Sequence, residues 1–143
     1  MTGAAVLALA VTWADYRLAE SARTASFEIR DKYLNRGEHI CFFGHWGFQY
    51  YMEKIGAKAI DINRSKTSSC DIVIAPKNNS SPIGPRFEYL RLRTIIEIPS
   101  GVWLTTMSSK IGAGFYSDVW GPLPFAVGPV PLEQYSIFEV KKE

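Results

Sequence analysis

Gly44-His45-Trp46-Gly47 is where the residue types and spacing of this chain come nearest to chemistry. A short apolar run, His39 to Phe43, leads into it, and a helical pattern follows. The four residues therefore form a strand-to-helix turn, the position at which open α/β sheets hold ligands. A helix N-terminus attracts anions. His45 can serve as a general base or as a partner for substrate hydroxyls, and Trp46 beside it completes the candidate ligand-binding pair. The motif is not G-x-G-x-x-G and no Walker lysine follows, which argues against a nucleotide. The competing structural reading makes His45 a helix-capping histidine with Trp46 packed beneath it.

A second candidate is Ile111 to Phe125, IGAGFYSDVWGPLPF. Its glycines free the backbone, Asp118 supplies a carboxylate, and Tyr116 and Trp120 offer flat rings. Ring stacking plus a hydroxyl acceptor suits carbohydrate. The structural alternative is an irregular loop whose aromatics plug a sheet edge or face a membrane.

No self-sufficient catalytic centre emerges. G-x-S-x-G is absent, and Cys41 and His45 lie four residues apart across a strand end, a poor nucleophile–base pair. Asp61, Asp71, Asp118, Glu88 and Glu97 are scattered, so no glycosidase-like acid pair is defined. A zinc site would need Cys41, Cys70, His39 and His45 to converge, without the close ligand pairs that structural zinc sites use. No catalytic residue, metal or cofactor is assigned. Asn63-Arg64-Ser65, Asn78-Asn79-Ser80 and Asn79-Ser80-Ser81 match the N-glycosylation pattern, which matters only in a eukaryotic secreted setting.

The elements that must position these residues alternate. His39–Phe43 reads as a strand. Trp46–Ile55 reads as a helix with Phe48, Tyr51, Met52 and Ile55 on one face, ended by Gly56. Ala57–Ile62 and Asp71–Ala75 read as further strands, and short turns imply parallel pairing with a right-handed crossover. Lys77–Pro85 is a loop on composition. Phe87–Ile98 is one long strand or two, with Arg91 and Arg93 as its polar face. Val102–Met107 is another strand candidate, and Tyr135–Val140 closes the chain as a strand. The fold class is α/β: a small mixed sheet starting with a βαβ unit, preceded by a long N-terminal helix.

That helix begins in Gly3–Ala14, an uncharged run too short to span a bilayer, which needs about 20 apolar residues. It lacks the positive n-region of a secretory signal. It is apolar all round, unlike a core helix with one apolar stripe. Residues 1–14 therefore read as the end of a transmembrane or membrane-anchoring helix, and residues 15–143 as a single soluble domain. Trp13 and Tyr16 sit where Asp15, Arg17 and Glu20 begin, as in an interfacial aromatic belt. Leu18, Ala22, Ala25, Ile29 and Tyr33 then form a helical stripe able to pack on a domain, and Gly37 is the stop signal.

Bulk properties agree with one ordinary domain. The chain has 143 residues, 47% hydrophobic and 21% charged, which makes disorder a poor reading. A net charge of +2 without a basic block argues against nucleic acid as a partner. Two cysteines are too few for a disulfide scaffold. Cys41, in an apolar run, reads as a buried free thiol, while a Cys41–Cys70 bridge belongs to an extracytoplasmic setting.

Together, FFGHWGFQYYMEKIGAKAID and IGAGFYSDVWGPLPFAVGPVPLEQY resemble the C-terminal end of bacterial multi-pass membrane glycosyltransferases of the protein mannosyltransferase and aminoarabinose-transferase type. Thr12 to Arg23, TWADYRLAESAR, resembles the exit of their last membrane helix. The resemblance implies an extracytoplasmic (periplasmic or outer-face) accessory domain. Its partners would be membrane lipid at the N-terminus, the upstream transmembrane region of the same enzyme, and a glycan or polyprenyl-phosphate sugar. It also implies that donor and catalytic acid are handled by membrane helices and their first loop, so no catalytic residue carries over.

Overall fold

The computed structural model describes residues 2–60, 69–79, 89–101 and 103–141. Their contacts form two compact units: unit 1 comprises Met1–Ser21 and Ile98–Glu133, unit 2 Ala22–Glu97 and Gln134–Glu143.

One helix, α1 (Thr2–Lys32), starts in unit 1 and ends in unit 2. At 1.5 Å per residue its 31 residues extend about 46 Å. Residues 2–9 are exposed on every side, Val6 and Leu9 among them. Further along, Ala25, Ile29 and Tyr33 are buried and Leu18 and Ala22 half-buried, as the stripe predicts. Ser21 and Ser26 are buried on the same side and donate their hydroxyls to the carbonyls of Leu18 and Ala22, so neither is left unsatisfied. After a 3-10 turn at Leu34–Arg36, Gly37 adopts φ +83° and stops the helical path. Among the described residues, no helix is long and apolar enough to cross a membrane.

Unit 2 is built on a five-stranded mixed sheet. Its strands are β1 (Ile40–Phe42), β2 (Lys58–Ala59), β3 (Ile72–Pro76), β4 (Leu90–Ile98) and the C-terminal β9 (Glu133–Val140), in the order β2-β1-β3-β9-β4. β1 pairs in parallel with both β2 and β3, and β9 runs antiparallel to β3. The helix α2 (Trp46–Lys54) makes the βαβ crossover between β1 and β2. Phe48 and Met52, one turn apart, are its buried residues. Phe48 meets Phe42 edge-on at 5.9 Å and Tyr135 at 5.2 Å. Gly56 at φ +94° ends α2, with Ala57 N–H bonded to the Met52 carbonyl at 3.0 Å.

Alternation divides the sheet residues between two faces. Ile40, Phe42, Ile72, Ile74 and Ile137 share the face that Phe48 covers. On the other, Cys41, Phe43, Cys70, Val73, Leu90 and Phe138 form one buried cluster. β1 is buried at all three positions, so it reads as a continuous apolar run. Each such large apolar side chain contributes about 1.5–3 kcal/mol on burial.

Three sequence expectations change. Cys41 is not a free thiol: it is bridged to Cys70 with Cα atoms 5.8 Å apart. The in-register pairing of Cys41 with Val73 brings the segment just before β3 beside β1, a proximity the separation of 29 residues does not reveal. The bridge also removes both thiols from any zinc set. In β4, the alternation of Leu90–Arg93 breaks down, because Leu92 is 52% exposed. β4 is an edge strand, and its positions 91–95 are all exposed. Val102–Met107 is not one strand; its described residues form β5 (Leu104–Thr105) and the start of β6 (Met107–Ser108). Asp61, Ile62, Phe87, Glu88, Val102 and the Asn63-Arg64-Ser65 pattern lie outside the described residues.

Unit 1 adds β7 (Ala113–Gly114), paired with β6, and β8 (Ala126–Val127), paired with β5, both antiparallel.

Closing a loop of this length stabilises the native state by about 3.5 kcal/mol in the chain-entropy description. Replacing both cysteines, Cys41→Ala with Cys70→Ala, is expected to lower unfolding free energy by about 3–4 kcal/mol. Urea titration followed by circular dichroism measures it. A loss below 1 kcal/mol would show that the bridge contributes little.

Candidate functional site

The strand-to-helix turn lies at the C-terminal end of β1. From β1 the chain crosses through α2 to β2 on one side, while β3 pairs on the other side. Chain connections diverge there, which makes it the crevice position of an open α/β sheet.

Gly44 has φ +113°, and a Cβ on it would lie 2.9 Å from Pro76 Cγ and 3.2 Å from Phe48 Cδ1. Only glycine fits. His45 is the N-cap residue of α2, yet its side chain makes no capping bond. Its backbone is held instead by Asn79: the His45 N–H donates to Asn79 Oδ1 at 3.0 Å, and Asn79 Nδ2 donates to the His45 carbonyl at 3.3 Å. The imidazole is left exposed. Trp46 has φ +55°, the left-handed region, which costs a non-glycine residue about 1–3 kcal/mol and persists only where the surroundings impose it. Here the Asn79 amide and the Gly44 turn impose it. Trp46 is 50% exposed.

Sequence reasoning missed Asn79. Its only signal was position: it follows β3, and adjacent parallel strands bring their C-terminal loops together.

The second candidate belongs to unit 1. Gly114 and Gly121 approach backbone so closely that a Cβ on either would strike a main-chain carbonyl, of Gly121 and Gly112 respectively. Gly114 N–H bonds to the Leu123 carbonyl at 2.7 Å, and Leu123 N–H to that of Gly112 at 3.1 Å. A 3-10 turn at Asp118–Trp120 completes the loop. Asp118 is exposed and Trp120 half-buried. Tyr116 points its hydroxyl at Asp15 of α1, donating to Oδ2 at 2.7 Å, while Thr106 donates to Oδ1 at 3.0 Å. Partial burial, then this bond and the Asp15 charge, push the Tyr116 phenol up to about 12. The residue expected to offer a stacking ring thus joins the loop to the helix through its hydroxyl. Sequence reading placed Asp15 at a membrane boundary and gave Thr106 no role.

His45 and Trp46 therefore belong to unit 2, and Tyr116, Asp118 and Trp120 to unit 1. Unit 2 also has a cleft of about 620 Å³ lined by Arg36, Glu38, Asp71, Arg91, Arg93 and Glu139, among others. It sits at the opposite ends of β1 and β3 from the turn. Glu38 accepts from Arg93 at 3.0 Å, and Asp71 Oδ2 lies 3.0 Å from His39 Nδ1. Two carboxylates of the cleft are thus engaged within the protein. Among the described residues, no three His, Cys, Asp or Glu side chains converge as metal ligands.

The turn offers a half-exposed indole and an exposed imidazole on a stiff backbone. That arrangement can stack a flat apolar face and hydrogen-bond to hydroxyls. No family model, curated protein or solved structure matches this chain.

Two tests follow from this geometry. Gly44→Ala meets both strain and a clash, and is expected to lower stability by about 1–3 kcal/mol in urea unfolding; a neutral substitution would refute the tight turn. The Tyr116 phenol is favoured in its protonated form by the fold. Its stabilising contribution is complete below the ordinary value of 10.0 and is lost as pH rises toward about 12. The phenolate absorbance of wild type minus Tyr116→Phe should show one tyrosine titrating near 12, and a difference curve centred at 10 would contradict the Asp15 contact.

Proposed function

We propose that this chain is the extracytoplasmic accessory domain of a membrane glycosyltransferase that takes its sugar from a polyprenyl-phosphate donor, with no activity of its own. The observation that carries the reading is α1, whose first turns are apolar and exposed on all sides and whose last turns are packed into a folded unit. Water disfavours that start, and a bilayer accommodates it. Trp13, half-exposed with the Arg17 guanidinium 5.8 Å above its ring, and the exposed Tyr16 mark the transition, as in interfacial belts.

The Cys41–Cys70 bridge supports an oxidising compartment, since cytosolic thiols are kept reduced. The glycosyltransferase assignment rests on the resemblance of the turn and the glycine-rich loop. In this reading His45 and Trp46 receive a sugar ring of the acceptor or donor: the indole stacks on its apolar face and the imidazole bonds its hydroxyls. Chemistry occurs upstream, in the membrane part. A small-ligand-binding domain acting alone is the second reading, favoured by the left-handed backbone of Trp46.

The test is sugar transfer from a polyprenyl-phosphate donor in membranes carrying the whole enzyme. Trp46→Ala is expected to raise KM for the sugar-bearing substrate about three- to tenfold with little change in kcat, the loss of one stacking contact. Transfer with unchanged KM removes the turn from the proposal. Absence of polyprenyl-linked transfer, or reduced Cys41 and Cys70 in cells quenched with acid, removes the proposal itself.

A further inference from the structure

Charge is distributed unevenly over the two units. Of the chain's 30 charged residues, unit 1 holds six: Asp15, Arg17, Glu20, Lys110, Asp118 and Glu133. Unit 2 carries the other 24. Among the described residues, exposed large apolar side chains follow the reverse pattern: unit 1 has twelve and unit 2 five. Apart from Leu132, those of unit 1 lie in two places. One is the start of α1. The other is the β5–β8 region with its glycine-rich loop, where Phe115 is 57% exposed, Val119 72% and Leu123 47%. A water-facing surface of this composition is uncommon, and extended apolar patches mark interaction sites.

Asp15 links the two places. It follows Trp13 by two residues and precedes Tyr16, so it stands where α1 turns from apolar to polar. Its two oxygens accept from Tyr116 at 2.7 Å and Thr106 at 3.0 Å. The loop is thereby held at the level of that transition. The Phe115 ring lies 5.0 Å from that of Tyr116, and the close backbone packing of Gly112, Gly114 and Gly121 stiffens the loop that carries both.

We infer that unit 1 is a membrane-interface unit, and that its glycine-rich loop rests Phe115, Val119 and Leu123 in the headgroup layer of the bilayer that the start of α1 enters. The inference rests on the membrane reading of α1 and adds a second contact to it. The occupant is a lipid surface because the patch continues an apolar helix with aromatic residues at its exit. Unit 1 has four carboxylates against two cations, so attraction to anionic lipid is not the driving force. Apolar insertion is.

The test uses the full chain with vesicles of phosphatidylethanolamine and phosphatidylglycerol. An environment-sensitive dye is attached at Val119→Cys, with Cys41 and Cys70 bridged, and at Lys54→Cys in unit 2 as the aqueous control. Vesicles are expected to blue-shift and brighten the dye at 119 but not at 54, and 0.5 M salt, about a 4 Å Debye length, should leave that response intact. Phe115→Ser with Val119→Ser should weaken vesicle binding roughly tenfold. The dye position, 72% exposed, leaves packing undisturbed if the double variant fails to fold. Vesicle binding with a dye that stays aqueous at 119 overturns the loop contact and leaves the α1 anchor standing. No vesicle binding at all overturns both. Dimerisation of the chain, lost in the double variant, would reassign the patch to a second copy and likewise overturn the inference.

Discussion

β1 accepts a parallel partner on each edge, and unit 2 follows from that constraint. The edges of β1 are both paired, and its faces are covered by Phe48 on one side and the Cys41 cluster on the other, so Ile40, Cys41 and Phe42 are all buried. Pairing with β3 in register brings the residues before β3 alongside the start of β1, where Cys70 bridges to Cys41. The same pairing carries the residues after β3 past the end of β1, where Asn79 reaches the His45 backbone. A staple and a clamp, at opposite ends of one strand pair, are two results of a single register. The turn is stiff for that reason: its conformation is set from β3 as well as from its own glycines.

Among the described residues, unit 1 has no sheet of comparable extent, and a polar node takes that place. Its two ladders are each two residues long per strand. Asp15 accepts from Thr106, between β5 and β6, and from Tyr116, just after β7. A carboxylate accepting two hydroxyl bonds is stronger per contact than neutral pairs of the same geometry. The node explains why an irregular stretch rich in glycine and proline is ordered without a large core of its own.

Legibility in the sequence followed the range of the interaction. Local signals read correctly: the spacing of Phe48 and Met52, the stops at Gly37 and Gly56, the apolar run of β1, and the α1 stripe through Ala25 and Ile29. The fold class was legible because these signals alternate in βαβ order. What required the third dimension was pairing over distance. Cys41 with Cys70, His45 with Asn79 and Asp15 with Tyr116 are separated by 29, 34 and 101 residues. The candidate site was half legible for this reason. Gly44–Gly47 declared its turn, but neither the amide that holds it nor the left-handed Trp46 leaves a sequence mark. Leu92 misled because alternation signals burial only where a face is covered, and β4 is exposed on both faces over positions 91–95.

Asn79 has one more consequence. It is the acceptor residue of an Asn-Ser-Ser triplet, and the amide nitrogen a glycan would occupy is the one that donates to the His45 carbonyl. Co-translational modification precedes folding, so an oligosaccharide there would arrive before the clamp closes and would stand where the turn must pass. Closure of this turn and glycosylation of Asn79 therefore compete for the space around one amide nitrogen. A host that lacks that modification, or Ser81→Ala, which abolishes the triplet while sparing Asn79, keeps the turn available.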